Sequence, residues 1–245
     1  MTYALLRGDR NPADHERAQK LVSEAFAPFM DHSRVVNDYW SFLYERWADW
    51  QFLLADTAGN AVVLGNCFPM HLDVDADELP DGGVEWALEE AVKQSEDGIR
   101  PNTAVAFQIV ISDGARGQGL SYRSIDAMKE LCRTHSVEAL FAPVRPNRKE
   151  QYPTMPIDEY VAWRRDDDLP VDDWMRVHIK TGGEMLNICH RSFVVEGTLD
   201  DWERWTGRRF AGSGPQPVEG ALAPVIVEGD VATYVEPNVW FRHRL

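Results

Sequence analysis

The chain has 245 residues, 44% of them hydrophobic, and a formal net charge of −15. That is enough apolar mass for a substantial core, and so acidic a chain repels nucleic acid and anionic membranes, which argues against a nucleic-acid or membrane-surface role. No stretch approaches the roughly 18 apolar residues of a spanning helix and no apolar leader is visible; Cys67, Cys132 and Cys189 are too few and too far apart for a disulfide framework or a metal knuckle, so a reducing, cytoplasmic setting is expected.

Residues 14–26 carry Ala18, Leu21, Val22, Ala25 and Phe26 at helical spacing, and Pro28 ends the run. Residues 38–50 read as a second, aromatic-rich helix. Residues 51–55 and 61–69 read as strands joined by a hairpin turn at 56–60. Residues 72–84 form an acidic loop. His71, Asp73, Asp75 and Asp77 there are read as solvated surface, and no metal is expected. A short helix follows at 85–95, a strand at 103–111, a helix at 121–134 and a strand at 138–144. Residues 145–171 are proline-rich with a short helix near 157–164. The helix at 172–180 is stopped by Gly182 and Gly183. Residues 184–195 read as mixed strand and 199–205 as a helical turn or two. Apolar runs at 221–227 and 231–241 come last. This order predicts one α/β domain over 1–245, a mixed sheet with helices on both faces.

The junction between the strand at 103–111 and the helix after it contains Gly114, Gly117 and Gly119. Glycines let a backbone turn tightly and let an anion approach without meeting a Cβ. The unpaired N–H groups of the first helical turn, with the helix dipole, favour phosphate. Arg116 adds a cation, and Ser121 a small hydroxyl. No Gly-Lys-Ser/Thr follows, so this is no Walker A loop, and Gly117-Gln118-Gly119 lacks the third glycine of a dinucleotide fingerprint.

Arg116-Gly117-Gln118-Gly119-Leu120-Ser121 resembles motif A of the GCN5-related N-acetyltransferase (GNAT) superfamily, Arg/Gln-x-x-Gly-x-Gly/Ala, with Ser121 in place of the last small residue. Val177-His178-Ile179-Lys180-Thr181-Gly182-Gly183 is similar to that family's Leu-Tyr-x-x-x-Gly-Phe, with His178 where the tyrosine stands. Residues 199–207 and 236–240 look like a bacterial subgroup of the superfamily with an extended C-terminal region. The resemblance covers core motifs in 103–195, interrupted by an insert at 148–171 and followed by an extension from 196.

The resemblance implies a mostly antiparallel mixed sheet whose central strand pair splays, with acetyl-CoA or another acyl-CoA as cosubstrate and no metal. It implies transfer of the acyl group to the primary amine of a small-molecule acceptor, by direct attack in a ternary complex. An acyl-CoA-binding module without activity, and a protein lysine acetyltransferase, are the alternatives. No nucleic acid or membrane partner is implied, and a homodimer is open. By similarity, Ile109, Val110 and Ile111 would meet the pantetheine arm and the thioester carbonyl. Residues Arg116, Gly117, Gln118, Gly119, Leu120 and Ser121 would hold the pyrophosphate, and Asn147 would flank the arm.

Thioester aminolysis also needs proton transfer. His178 is the candidate acid through its place in the family pattern, and its alternative is a helix-end histidine stabilised by the dipole. His190 is a weaker candidate. Asp113 and Glu138 are candidate bases, each also readable as a turn cap or a solvated carboxylate. The basic run Arg145, Arg148 and Lys149 is read either as a partner for the CoA 3′-phosphate or for an acidic group on the acceptor, or as a counterweight to Asp166, Asp167 and Asp168. Trp163 and Trp174 are read as core or as walls of an acceptor pocket. The three cysteines are read as buried and inert.

Overall fold

The computed structural model describes residues 3–7 and 12–245. Among them, nine strands form one sheet, in the order β1 (Ala4–Arg7), β2 (Gln51–Ala55), β3 (Ala61–Met70), β4 (Thr103–Ile111), β5 (Ala139–Val144), β9 (Val231–Arg244), β8 (Val225–Glu228) and β7 (Gly214–Gln216). β6 (Glu184–Thr198) pairs with the other edge of β9. Every pairing is antiparallel except β4 with β5. The mixed sheet expected from the element order, mostly antiparallel as the resemblance implied, is therefore the one observed.

Helices cover both faces. Leu64 of β3 and Val110 of β4 pack against Ala18 and Leu21 of α1 (Pro12–Ala25). On the opposite pleat, Cys67 meets Cys132 of α5 (Leu120–Thr134). The same alternation splits β9. Trp240 meets Trp86 of α4 (Gly83–Glu96), while Phe241 packs with Met175 of α7 (Asp173–Lys180) and with Ile157 of α6 (Ile157–Ala162). α5 shows why its sequence is helical: Leu120, Ser124, Ile125, Met128, Leu131 and Cys132 are buried at intervals that form one stripe.

The single helix expected at 38–50 is broken into α2 (Arg34–Tyr39), α3 (Phe42–Glu45) and a 3-10 turn at Ala48–Trp50. Its rings face different targets. Trp40 packs on Phe107 and Trp47 on Phe68, and Trp50 stacks on His135, which caps the C-terminus of α5. The apolar run at 221–227 becomes strand only from Val225, because Leu222 N–H donates to the Tyr234 hydroxyl at 2.9 Å instead of to a ladder. β1 and β7, both short edge strands, were not expected.

The extension after β6 begins with α8 (Leu199–Thr206), whose N-cap Thr198 and Asp201 form a reciprocal capping box and whose C-terminus closes on Gly207 at φ +68°. α8 buries Trp202 against Phe29 and Phe210, and Trp205 stacks on His32 at 4.0 Å. The extension thus clamps the segment between α1 and α2. Thr198→Ala is expected to cost about 1 kcal/mol in a denaturant titration, the usual loss of an N-cap. An unchanged midpoint would show that the aromatic clamp alone holds α8. No helix among the described residues is long and apolar enough to cross a membrane.

Candidate active site

β4 and β5 run side by side for only three residue pairs, ending at Val105↔Phe141. β5 continues to Val144 on β9, so it is β4 that leaves. The cause lies on the other edge of β4. Asn66 opposes Gln108 and Cys67 opposes Ala106, which leaves Phe107 as an extra residue. Such a bulge bends the strand that carries it. A gap opens between Ala106–Ile111 and the end of β5, the splay that the resemblance implied.

The ladder also decides which groups face this gap. Ser112 N–H donates to Val62 O on the β3 side at 2.9 Å. Main-chain direction alternates along a strand, so Val110 also faces β3, and Ile109 and Ile111 turn their N–H and C=O groups to the gap. Val110 is buried, its side chain packing against α1. Of the three expected contacts, Ile109 and Ile111 offer main-chain groups to a ligand in the gap.

β4 ends in the glycine turn. Gly117 and Gly119 sit at φ +77° and +72°, where any other residue is strained, and an added Cβ at either would meet nothing within 4 Å. Gly119 is the N-cap of α5, with no side-chain cap and no acidic residue in the first turn. Among the described residues, the N–H groups of residues 117–122 have no hydrogen-bond acceptor. These donors, at the positive end of a 15-residue helix, form a cradle suited to a diphosphate. Arg116 pairs with Asp113 at 2.9 Å, both largely exposed. Gln118 Oε1 accepts from the Tyr3 hydroxyl at 2.7 Å. Asn147 lies just past β5, exposed and without a hydrogen bond to the described residues.

The proton-transfer candidates sit in separate surroundings. His178 is buried beneath β9, with Nδ1 2.9 Å from Nε2 of His243 and its ring against Trp174 and Phe241. Burial first, then the neighbouring His243, holds its pKa well below 6.5. A ring so placed is enclosed by its neighbours, which bears against the expectation of a general acid. Glu138 is exposed at the closed end of the β4–β5 pair, its N–H bonded to Asn102 O. Asp113 is exposed and pairs with Arg116. His190 sits at a register shift of β6 between Asp81 and Asp158, at 3.0 and 3.3 Å. Partial burial lowers its pKa, but those two carboxylates outweigh it and the net shift is upward.

Arg145 and Lys149 of the basic run are turned inward rather than toward an anionic ligand or Asp166, Asp167 and Asp168. Arg145 bonds Glu236 at 3.0 Å and Gly220 O at 2.6 Å. Lys149 is 1% exposed and donates to Tyr152 O and Leu222 O, each at 2.7 Å; burial pulls its pKa down to about 8. These residues anchor the extension to the end of β5. Arg148 lies 3.9 Å from Asp173. Trp163 is exposed, and Trp174 packs on His178. All three cysteines are buried, and burial raises Cys67 well above its ordinary value and Cys189 to about 12. Asp75 pairs with Arg244, and His71 Nδ1 lies 3.2 Å from Arg100 O.

Two features escaped sequence reasoning. One is a relay of amides, buried Gln51 and Asn66 and half-buried Gln108, reaching the bulge of β4. Its only signal was three amides inside otherwise apolar strands. The other is a cavity of about 150 Å³ lined by α1 residues, Asp31, Trp40 and Tyr44. It depends on how α1, α2 and α3 pack, which no local pattern reveals.

No protein-family model matches the chain. The arginine N-acetyltransferase avaD of Aspergillus versicolor is 31% identical over 251 residues, covering 91% of this chain and 86% of its own. Among solved structures, the loading GNATL domain of CurA from Lyngbya majuscula superposes with a TM-score of 0.65 at 15% identity, covering 100% of this chain and 98% of that one. The GphF GNAT-like decarboxylase in complex with isobutyryl-CoA gives 0.60 at 10% identity, with 98% of each chain covered. At those identities the two structures share the fold.

Proposed function

We propose that this chain, which belongs to the GCN5-related N-acetyltransferase superfamily, transfers an acyl group from a CoA thioester to the primary amine of a small molecule. The observation that carries the reading is the departure of β4 from β5 directly before a glycine turn of unpaired N–H groups. A thioester arm in the gap would meet the main-chain groups of Ile109 and Ile111, and Asn147 lies at its flank. Its diphosphate would take the N–H groups of residues 117–122. The name of the Aspergillus relative makes a basic amino acid, arginine first, the acceptor to test.

Direct attack in a ternary complex suits a gap open along β4. The amine nitrogen bonds to the carbonyl carbon, the C–S bond breaks, the amine loses a proton and the thiolate gains one. The N–H of Ile111 faces the gap and would polarise the carbonyl as its oxygen gains charge. A thiol pKa of roughly 8.5 makes the leaving group modestly stable without a side-chain acid, so protons can pass through water. The enclosure of His178 against His243, which leaves the proton donor unassigned, favours one second reading, a module that binds acyl-CoA without turnover.

Calorimetric titration with acetyl-CoA, followed by thiol release on adding L-arginine, tests both. Saturable binding with arginine-dependent thiol release is expected. Binding without thiol release from any amine selects the second reading, and no heat at millimolar acetyl-CoA overturns both.

A further inference from the structure

We propose that the acceptor is an amine carrying a second, cationic group: Gln108 Oε1 at the β4 bulge holds the reacting nitrogen, and the cavity bounded by α1, Asp31, Trp40 and Tyr44 takes a guanidinium or ammonium tail. This rests on the acyl-transfer reading and names its acceptor site.

Gln108 is fixed as an acceptor by a chain of amides with only one workable direction. Gln51 Nε2 donates to two main-chain carbonyls, Trp47 O at 2.8 Å and Cys67 O at 2.9 Å. Its Oε1 therefore faces Asn66 and accepts from Nδ2 at 2.6 Å. Asn66 Oδ1 in turn accepts from Gln108 Nε2 at 2.7 Å. Flipping any amide sets two donors or two acceptors against each other. Gln51 and Asn66 are 1% and 0% exposed, so water cannot rescue a flipped state. The relay ends at Gln108 Oε1, which has no partner among the described residues. A carbonyl oxygen there binds the N–H of an amine and offsets the positive charge that grows on nitrogen as the new bond forms.

The cavity shares a wall with the middle of the relay and with the bulge residue beside Gln108. Tyr44 Oη lies 3.4 Å from Asn66 Nδ2, and the Trp40 ring packs on Phe107, the bulge residue. The Trp40 and Tyr44 rings stand 5.6 Å apart at 57°, presenting aromatic surface to one small volume. A cation beside such rings is attracted by their quadrupoles. Asp31 lines the same volume, and its carboxylate makes no hydrogen bond or ion pair with the described residues. Ala18 and Val22 supply an apolar side for the stem between the two nitrogens. An isolated carboxylate beside aromatic rings selects a cation over a neutral group of the same size.

The test compares L-arginine with L-citrulline, which replaces the guanidinium by a neutral urea at equal length. With the full chain and acetyl-CoA, kcat/KM is expected to favour arginine by about 30-fold, from one cation–π contact and one charge-assisted bond. Asp31→Asn is expected to bring that ratio toward one through KM, with acetyl-CoA affinity unchanged. Gln108→Met is expected to lower kcat/KM for both amines alike and leave their ratio intact. A wild-type ratio near one overturns the cation site, as does a ratio that survives Asp31→Asn. Should acetyl-CoA bind without any turnover, the same ratio is read from calorimetric titration of the two amines into the CoA complex. Failure to bind acetyl-CoA at all sinks the acyl-transfer reading instead.

Discussion

Replacing Gly119 by arginine is expected to weaken acetyl-CoA binding by about 100-fold or more, the loss of two charge-assisted hydrogen bonds, while the protein stays folded. Gly119 is exposed, and an added Cβ meets nothing within 4 Å, so a larger residue does not clash with the fold. Its φ of +72° does strain any side chain, at roughly 1 kcal/mol. The arginine stem, however, lies over the N–H groups of residues 117–122, the donors a diphosphate would take. Gly119→Ala separates the two effects, because it brings the same strain without covering the donors. The expected order of acetyl-CoA affinity by calorimetry is wild type, then alanine slightly weaker, then arginine far weaker. Equal affinity for wild type and arginine would remove the turn as the diphosphate site.

The second large effect is on stability at acid pH. His178 and His243 are both buried, and among buried side-chain atoms of the described residues only His243 Nδ1 lacks a hydrogen-bond partner. Burial, then the Lys129 cation, lowers the His243 pKa to about 4, and His178 is pushed well below 6.5. The unfolded chain takes up these protons near pH 6.5, whereas the folded chain refuses them until far lower pH. Stability is therefore fully present above about 6.5 and is lost as pH falls toward 4, His243 alone accounting for about 3 kcal/mol. His190 works in the opposite direction, since its pKa is raised, but its side chain is 53% exposed and solvent screens it. Urea unfolding of wild type and of His178→Phe/His243→Leu, from pH 4.5 to 7.5, checks this. The double variant is expected to show a much shallower loss. Parallel curves would mean that carboxylates elsewhere set the acid sensitivity. The enclosure of His178 also predicts that His178→Phe leaves the pH profile of turnover in place.

Much of the fold was legible because the signals were local. The strand at 103–111 and the helices at 121–134 and 172–180 carry their periodicity and their stop signals within a dozen residues. The glycine turn was legible for the same reason, since glycine is the residue type that admits the positive φ found at Gly117 and Gly119. Residues 38–50 misled because aromatic spacing mimics a helix when each ring has a different partner across the sheet. The basic run misled because one-dimensional charge cannot show that Arg145 and Lys149 meet Glu236, Gly220 and Leu222 of a segment about 70 to 90 residues away.

By itself, the sequence determined the order of elements, the left-handed glycines at the start of α5 and the family resemblance they carry, all through residue types whose backbone preferences act locally. Only the tertiary structure decided what the site contains. The bulge at Phe107 is a mismatch between two strands, and it falls where β4 leaves β5. The burial of His178 is set by β9, whose His243 arrives 65 residues later. The direction of the amide relay is settled by the carbonyls of Trp47 and Cys67, and the acceptor cavity by how α1 and the Trp40–Tyr44 segment meet. Each of these depends on surfaces brought together across the sheet, where desolvation and donor–acceptor matching are decided by neighbours that the local chain does not name.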